Sequence, residues 1–396
     1  MSQPSPWSQP QSPPQPNAQP RGTAALIPPA PSPATASPVP RRPRTGGAAL
    51  IWVAGVLVVV LIVLVGYFVR FLGPAASIIG IILAAVPFAA VWFAVRLIDR
   101  WEPEPRGLMV FAIAWGALAA VGIALGVDLV LTVLVGGTGD IVGSIVQAPV
   151  VEEVGKGLGV LLIFIAARRS FDGPVDGVVY GALVGAGFAF TENIQYFAIS
   201  LLEGGAGDVA TTFFLRAILS PFAHVMFTSV TGLAIGLAAR RGLGAGGAFG
   251  YGLVGLVGAI VLHALWNGSA VLSDFFTLYI TLQVPLFALF ILGIVLLRRE
   301  EARLTRARLG EYAAAGWFTP QEVDMLATGP GRRAALAWAR GLRGDRRPLM
   351  RGFIADATAL AAARQRALTG RDPQAAAAER ELLARAAAAR NALFAP

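Results

Sequence analysis

From about residue 47 to residue 297 the chain alternates long apolar stretches with short polar borders, and its texture changes on either side of that region. Eight stretches approach the roughly 20 residues that span a bilayer as a helix. They run approximately from Ala48 to Phe68, Ala76 to Ile98, Leu108 to Val127, Ile145 to Ala167, Val175 to Leu201, Phe213 to Ala239, Phe249 to Leu272 and Phe276 to Leu297. Gly and Pro recur inside them, as lipid-embedded helices tolerate better than soluble ones. The pattern predicts an all-α fold: a polytopic membrane helix bundle of about eight transmembrane helices with a cytoplasmic helical tail.

The flanks divide the chain into three zones, 1–46, 47–297 and 298–396. The first holds 14 of the 27 prolines and almost no apolar cluster, so it reads as a disordered arm; it lacks the basic start and short apolar core of a signal peptide. In the last zone, Thr319-Pro320-Gln321-Glu322 has the form of a capping box, and the Ala/Arg-rich run from Ala375 to Leu393 is helical by propensity. The tail reads more readily as a solvated appendage, its arginines drawn to anionic headgroups, than as a docking or regulatory domain.

Composition agrees: 56% hydrophobic and 14% charged residues, with a mean hydropathy of +0.66, are too apolar for a soluble enzyme of 396 residues. The absence of cysteine excludes disulfides, a thiol nucleophile and Cys-ligated metal. The net charge of +9 is concentrated in Arg298–Pro396, where 18 Arg against 10 Asp and Glu leave +8. The partner implied is the lipid bilayer; no nucleic acid is expected. Arginine also orients the bundle. Arg41, Arg42 and Arg44, then Arg96, Arg100 and Arg106, Arg168 and Arg169, Arg240 and Arg241, and Arg298 and Arg299 mark alternate borders, whereas the opposite borders hold only Arg70 and Arg216. The positive-inside rule then expects a multi-pass cell-membrane protein with both termini cytoplasmic.

Ionisable groups inside a bilayer are costly, and few occur here. They are Glu152, Glu153 and Lys156 on the fourth stretch, Glu192 with Asn193 on the fifth, His224 on the sixth, and His263 with Asn267 on the seventh. The two histidines are the only ones in the chain, and Lys156 is its only lysine. A compact, titratable ammonium is thus placed where Arg is otherwise the rule. Counted from the cytoplasmic borders, Glu152, Glu192, His224 and His263 all lie about 24 Å deep, in the outer half of a hydrocarbon core about 30 Å thick. Glu152 and Lys156 share a helix face at i, i+4, as do His263 and Asn267, while Glu153 is turned about 100° away. Pro149 and Pro221 precede Glu152 and His224 by three residues and can free carbonyls at the same level. A buried network that merely holds helices together would fit one Glu–Lys pair; three acids and two histidines favour function.

Taken in order, Glu152-Glu153-x-x-Lys156, Phe188-x-x-x-Glu192 running on to Asn193, His224, and His263-x-x-x-Asn267 resemble the PrsW family of intramembrane proteases, relatives of the type II CAAX and bacteriocin-processing enzymes. The run Asp99-Arg100-Trp101-Glu102-Pro103-Glu104-Pro105 is similar to that family's Glu-Pro-rich segment. The resemblance covers roughly Ile79 to Leu297 and implies an intramembrane endopeptidase. Its catalytic set would be Glu152, Glu153, Lys156, Glu192, His224, His263 and Asn267, the last matching a residue proposed in CAAX-type relatives to help bind the oxyanion. A single-span membrane protein such as an anti-sigma factor would be the substrate. Two mechanisms stay open. In one, Glu152 or Glu153 with His224 activates water while His263 and Asn267 hold the oxyanion. In the other, His224, His263 and Glu192 ligate zinc and a glutamate of the first motif is the base. HExxH is absent, so spacing does not decide.

Other chemistries fit less well. Gly137-Thr138-Gly139-Asp140 spells the GxGD of aspartyl intramembrane proteases, but no Tyr-Asp partner occurs, and the segment reads as a Gly-rich turn. Ser144 and Ser269 lack the glycine pattern of a rhomboid-like serine enzyme. The rival readings are a proton-coupled membrane transporter, disfavoured by the single polar layer and the lack of a visible inverted repeat, and a non-catalytic membrane scaffold.

Overall fold

The computed structural model describes residues 47–168, 170–272, 274–370 and 372–394. The proline-rich arm expected over 1–46, with Arg41, Arg42 and Arg44, lies outside the described residues, as does Arg169. Helix α1 is Gly47–Phe71 and α2 is Pro74–Ile98. Helix α3, Arg106–Val135, passes through a π-helical turn at Trp115–Ala120. A helical turn at Asp140–Val142 and a second π turn at Gly143–Gln147 lead into α4, Ala148–Ala166. Helix α5 is Pro174–Phe213, extended by a π turn at Phe214–Leu219; α6 is Ala223–Arg240 and α7 is Ala245–Leu272. Phe275–Leu278 and a π turn at Tyr279–Gln283 open α8, Val284–Ala314, and four further helices follow: α9 Pro320–Leu326, α10 Gly329–Gly341, α11 Arg347–Thr369 and α12 Ala375–Phe394. Among the described residues there is no strand.

Among those residues, six segments are long and apolar enough to cross a membrane: Trp52–Phe71, Pro74–Ile98, Arg106–Val135, Pro174–Arg240, Ala245–Val271 and Phe275–Ala314. The expected count of eight is not established on that criterion. Helix α4 falls outside the set because it carries Glu152, Glu153 and Lys156. The 67-residue segment Pro174–Arg240 is broken at Ser220–Phe222, where Pro221 ends one helix and α6 begins. Helix α5 is itself kinked at Gly205, which takes φ +68°, and the break at Pro221 corrects the sixth expected stretch: Phe213–Leu219 belongs to the part of α5 that follows this kink, not to the start of α6.

Helices α5 and α6 form the centre of the bundle and run antiparallel in near-contact of their backbones. A Cβ at Gly181 would lie 2.7 Å from the Thr228 carbonyl oxygen, and one at Gly185 would lie 2.8 Å from the carbonyl carbon of His224. Glycine is therefore required on α5 for α6 to approach, and that approach sets the depth of His224 against α5. The core around them is built from Val160, Phe164, Tyr180, Leu183 and Ile235, all buried.

The tail departs from the solvated appendage expected of it. Leu309, Tyr312, Leu326, Phe353, Leu360 and Leu393 form a core of their own. The capping box is present: Thr319 N donates to Glu322 Oε2 at 2.8 Å and Glu322 N to Thr319 Oγ1 at 3.1 Å. The tail then docks on one end of the bundle. The Arg332 guanidinium lies 3.5 Å over the Trp101 ring and donates to the Trp101 carbonyl at 3.1 Å, Trp101 Nε1 donates to Thr305 at 3.2 Å, and Arg366 pairs with Asp172. The Glu-Pro run is thus a docking platform. Within it Asp99 Oδ1 accepts from Glu104 N at 2.9 Å, and Tyr180 donates to Glu104 Oε2 at 2.5 Å. Burial pushes the Glu104 carboxyl up to about 11 and that of Asp99 up to about 6, the latter partly offset by the Glu104 amide, Arg96 and Arg298.

An acid whose folded pKa is raised binds its proton more tightly when folded, so Asp99 costs no stability below its ordinary value of 3.8, costs increasingly more as pH rises from there to about 6, and costs a constant amount above that. Asp99→Asn, which keeps the acceptor for Glu104 N, is expected to raise stability at pH 7.5 by on the order of 2 kcal/mol and to change it little at pH 4. Thermal unfolding in detergent at the two pH values measures this; an equal effect at both would refute the assignment.

Candidate active site

Four helices contribute to one polar cluster at the heart of the bundle. Helix α4 presents Glu152, Glu153 and Lys156 from successive turns, α5 presents Glu192, α6 presents His224 and Thr228, and α7 presents His263. Lys156 Nζ lies 2.7 Å from Glu153 Oε1, 3.2 Å from Glu152 Oε2 and 3.1 Å from His224 Nδ1, and 4.0 Å over the Phe188 ring. An ammonium can only donate, so Nδ1 of His224 accepts and its Nε2 carries the proton that Glu192 Oε2 receives at 2.9 Å. Glu192 also pairs with Arg216, whose Nε donates to Asn193 Oδ1 at 2.6 Å and whose guanidinium lies 3.8 Å over the Tyr196 ring.

The two glutamates of the first motif have different jobs in this geometry. Glu153 is fully buried, and its oxygens are taken by Lys156, by Thr228 Oγ1 at 3.0 Å and by His263 Nδ1 at 3.1 Å. A carboxylate only accepts, so Nδ1 of His263 holds the proton and its Nε2 is left as a lone pair, 3.9 Å from Glu152 Oε2. Phe227 stacks on the His263 ring at 4.9 Å and fixes its plane, while the His224 and His263 rings meet edge to face at 5.0 Å. Glu152, by contrast, lines a cavity of about 580 Å³ together with Glu192, His224, His263 and Asn267. Glu152 is therefore the carboxylate of the pair that faces the cavity, and Glu153 is the one bonded to His263 and Lys156.

All seven residues expected from the sequence lie in this region, but not in one network. Asn267 lines the cavity without bonding to His263; its Nδ2 donates to the Ser144 carbonyl at 2.8 Å. Ser144 lies in the π turn before α4, and Pro149 has no N–H to return to that turn, so an α7 side chain takes the carbonyl that proline leaves. The second interruption behaves likewise: beside Pro221, Tyr279 donates to the Leu219 carbonyl at 2.9 Å. The expected zinc set of His224, His263 and Glu192 differs from the three residues whose donor atoms gather within 4.8 Å of one another, which are Glu152, His224 and His263. Glu192 sits instead on the outer nitrogen of His224.

Sequence reasoning missed Arg216, Thr228 and Asp128. Arg216 stood out as a cation on a border otherwise poor in them, and Thr228 lies one turn after His224 on the same face; either signal was readable. The Gly-rich turn also joins the site: Gly136, Gly137 and Gly139 take positive φ, and Thr138 and Asp140 line the cavity mouth.

Removing one partner from a buried ion pair leaves a charge without compensation and costs about 3–5 kcal/mol. Lys156→Met is expected to destabilise the protein by that order, and the double substitution Lys156→Met, Glu153→Gln to recover part of the loss. Unfolding of purified protein in detergent tests this; a Lys156→Met chain as stable as the wild type would mean that the ammonium does not hold the carboxylates.

The profile of the PrsW family intramembrane metalloproteases matches residues 104–292, a segment that contains every residue of the cluster. Three curated relatives, each named Protease PrsW, align with the chain. That of Geobacillus kaustophilus (strain HTA426) is 31% identical over 140 residues, 35% of this chain and 58% of the relative. That of Clostridioides difficile (strain 630) is 32% identical over 153 residues, 38% and 62%, and that of Bacillus subtilis (strain 168) is 30% identical over 140 residues, 35% and 60%. The chain thus spans about 60% of the length of the curated relatives it matches. No solved structure matches at the same stringency. Both the profile and the relatives agree with the ordered Glu, His and Asn motifs, and the segment 104–292 is similar to the PrsW family.

Proposed function

We propose that this chain is an intramembrane endopeptidase that hydrolyses a peptide bond of a membrane protein near the outer border of the bilayer. The observation that carries this reading is the convergence of Glu152, His224 and His263, from three helices, on one cavity with donor atoms within 4.8 Å. A proton path across the membrane would instead string its groups along a route, and a scaffold has no use for a polar cavity. The end that carries the tail and the arginine borders is the cytoplasmic one in this reading, so both termini face the cytoplasm of a cell-membrane protein. The substrate is a single-span membrane protein, of which an anti-sigma factor is the kind that the family resemblance suggests.

Peptide hydrolysis needs a proton acceptor for water, donors for the developing oxyanion and a proton for the leaving amine. Glu152 faces the cavity and accepts the water proton. His224, held between Lys156 and Glu192, takes a proton from Lys156 at Nδ1 as it gives one from Nε2 to Glu192; Glu192, which also lines the cavity, passes it to the leaving amine, and Lys156 recovers from Glu152 the proton taken from water. Asn267 spends one amide hydrogen on the Ser144 carbonyl and has the second for the oxyanion. Glu153 and Phe227 fix the His263 ring, and Glu153 with Glu152 keeps Lys156 charged in an apolar interior.

Zinc is favoured as a participant by the donor set itself. One carboxylate and two imidazoles suit zinc and leave a fourth position open, and the Glu153–His263 contact is of the kind that orients a zinc-ligating imidazole. Glu152, His224 and His263 would hold the ion, which would supply Lewis-acid activation of the water. Both ring nitrogens of His224 are engaged here, by Lys156 and by Glu192, so one of these contacts would have to yield for His224 to hold the ion; Glu192 would be the cavity carboxylate outside the donor set.

Glu152→Gln and His224→Ala are each expected to lower turnover of a reconstituted single-span substrate by about 10² or more while leaving the folded protein intact. Cleavage in proteoliposomes measures this, and undiminished turnover in both variants would end the protease reading. Metal content by plasma mass spectrometry, for wild type against the His224→Ala, His263→Ala double variant, is expected to show about one zinc per chain that the variant loses. Equal content in both would leave Glu152 as the base without zinc.

A further inference from the structure

A second large hollow lies on the lipid side of the bundle, between α1 and α3. It has a volume of about 1020 Å³, and its walls are Trp52, Val56, Val63 and Phe71 on one side and Trp115 and Leu129 on the other. The α1 wall, Trp52–Phe71, is 20 residues long and therefore about 30 Å high, the thickness of the hydrocarbon core. Its floor on α3 consists of Ala119, Gly122 and Gly126, small residues on one face that admit a neighbouring backbone. Helix α1 is held below by Leu64 against Ala120, Val121 and Phe188, while Trp52 is 77% exposed.

One residue decides what the trough is for. Asp128 lines both the trough and the cavity that holds Glu152, His224 and His263, so the two hollows adjoin at that residue. Asp128 is exposed, accepts from Gln147 Nε2 at 3.1 Å, and shares the cavity rim with Asp140. Among the described residues, Arg216 is the one arginine lining that cavity, and it is engaged by Glu192 and Asn193. The rim is left acidic. An apolar trough one bilayer high that ends at an acidic rim is complementary to an apolar helix with a cation at its outer border.

We infer that the trough between α1 and α3 seats the transmembrane helix of the substrate, and that Asp128 receives a Lys or Arg side chain just outside that helix, presenting the adjoining extended segment to the cavity. This rests on the protease reading for the reason a helix is brought there, but the docking itself does not require hydrolysis. On the α3 floor, Gly122 already faces Val60 of α1, where a Cβ would lie at 3.2 Å, whereas a Cβ at Gly126 would meet nothing within 4 Å, which leaves Gly126 open to an incoming helix.

The chain has no cysteine, which permits disulfide capture without background. Gly126→Cys and Leu265→Cys would be placed separately in a Glu152→Gln chain. Leu265 is 44% exposed on α7 and lies as far along its helix as Gly126 lies along α3. The probe is a synthetic single-span Leu/Ala helix with one cysteine a turn inside its outer border, followed by Lys or by Glu, in proteoliposomes of neutral lipid. Capture is expected at Gly126→Cys and not at Leu265→Cys. The Lys peptide should be captured up to about fivefold more than the Glu peptide, a preference that Asp128→Asn removes. Equal capture at the two positions, no capture, or cross-links only between two copies of the chain would overturn the proposal, the last two identifying lipid or a second copy as the occupant. A preference unchanged in Asp128→Asn would remove the role of Asp128. Cleavage by the wild type separates the two readings: a cut peptide that is never captured refutes the trough alone, and a captured peptide that is never cut refutes the protease alone.

Discussion

The site depends on one buried cation. Lys156 touches two glutamates, a histidine and an aromatic face from the middle of an apolar bundle, and each contact answers a cost that the bilayer imposes. Without the ammonium, Glu152 and Glu153 would be two like charges one residue apart, one of them fully buried. With it, Glu153 can be spent wholly on holding His263 and Thr228, and Glu152 can face the cavity. An arginine would not substitute simply: its planar fork is larger, and the Nζ position is enclosed by α4, α5 and α6 at once.

Bringing those helices together is a backbone matter. Gly181 and Gly185 let α6 lie directly on α5, so that His224 arrives beside Glu192 and Lys156 rather than a side-chain layer away. The prolines act in the opposite sense. Pro149 and Pro221 interrupt helical hydrogen bonding beside the cavity, and the carbonyls of Ser144 and Leu219 are satisfied by Asn267 and Tyr279 from α7 and the start of α8. Among the described residues, three of the four π-helical turns lie at this level or against it, where an extra residue in the turn re-aims the groups that follow.

The tail extends the same logic to the other end of the bundle. Trp101 and Asp172 tie it to two separate stretches of the membrane region, and Glu104 and Asp99 are buried in the platform. Helix α5 begins at this platform with Asp176 and carries Glu192 deeper in the bundle, so the docked tail and the cavity are joined by one continuous helical stretch.

The sequence by itself determined the all-helical class, the order of the helices, and the identities of the polar residues at the site. Hydropathy and the scarcity of charge inside a membrane make Glu152, Glu153, Lys156, Glu192, His224 and His263 visible without coordinates. Counting along straight helices was also enough to place four of them at one depth, because rise per residue is nearly constant. Rotation about each helix and lateral approach are not fixed by such counting. Only the tertiary structure decided that Glu152 faces the cavity while Glu153 does not, that Glu192 sits behind His224 rather than with the three clustered donors, and that Arg216 and Thr228 complete the network. It also decided that the Arg-rich tail packs and docks, since a charge run reads as solvated until the surface that answers it, here Trp101 and Asp172 from far earlier in the chain, is in place.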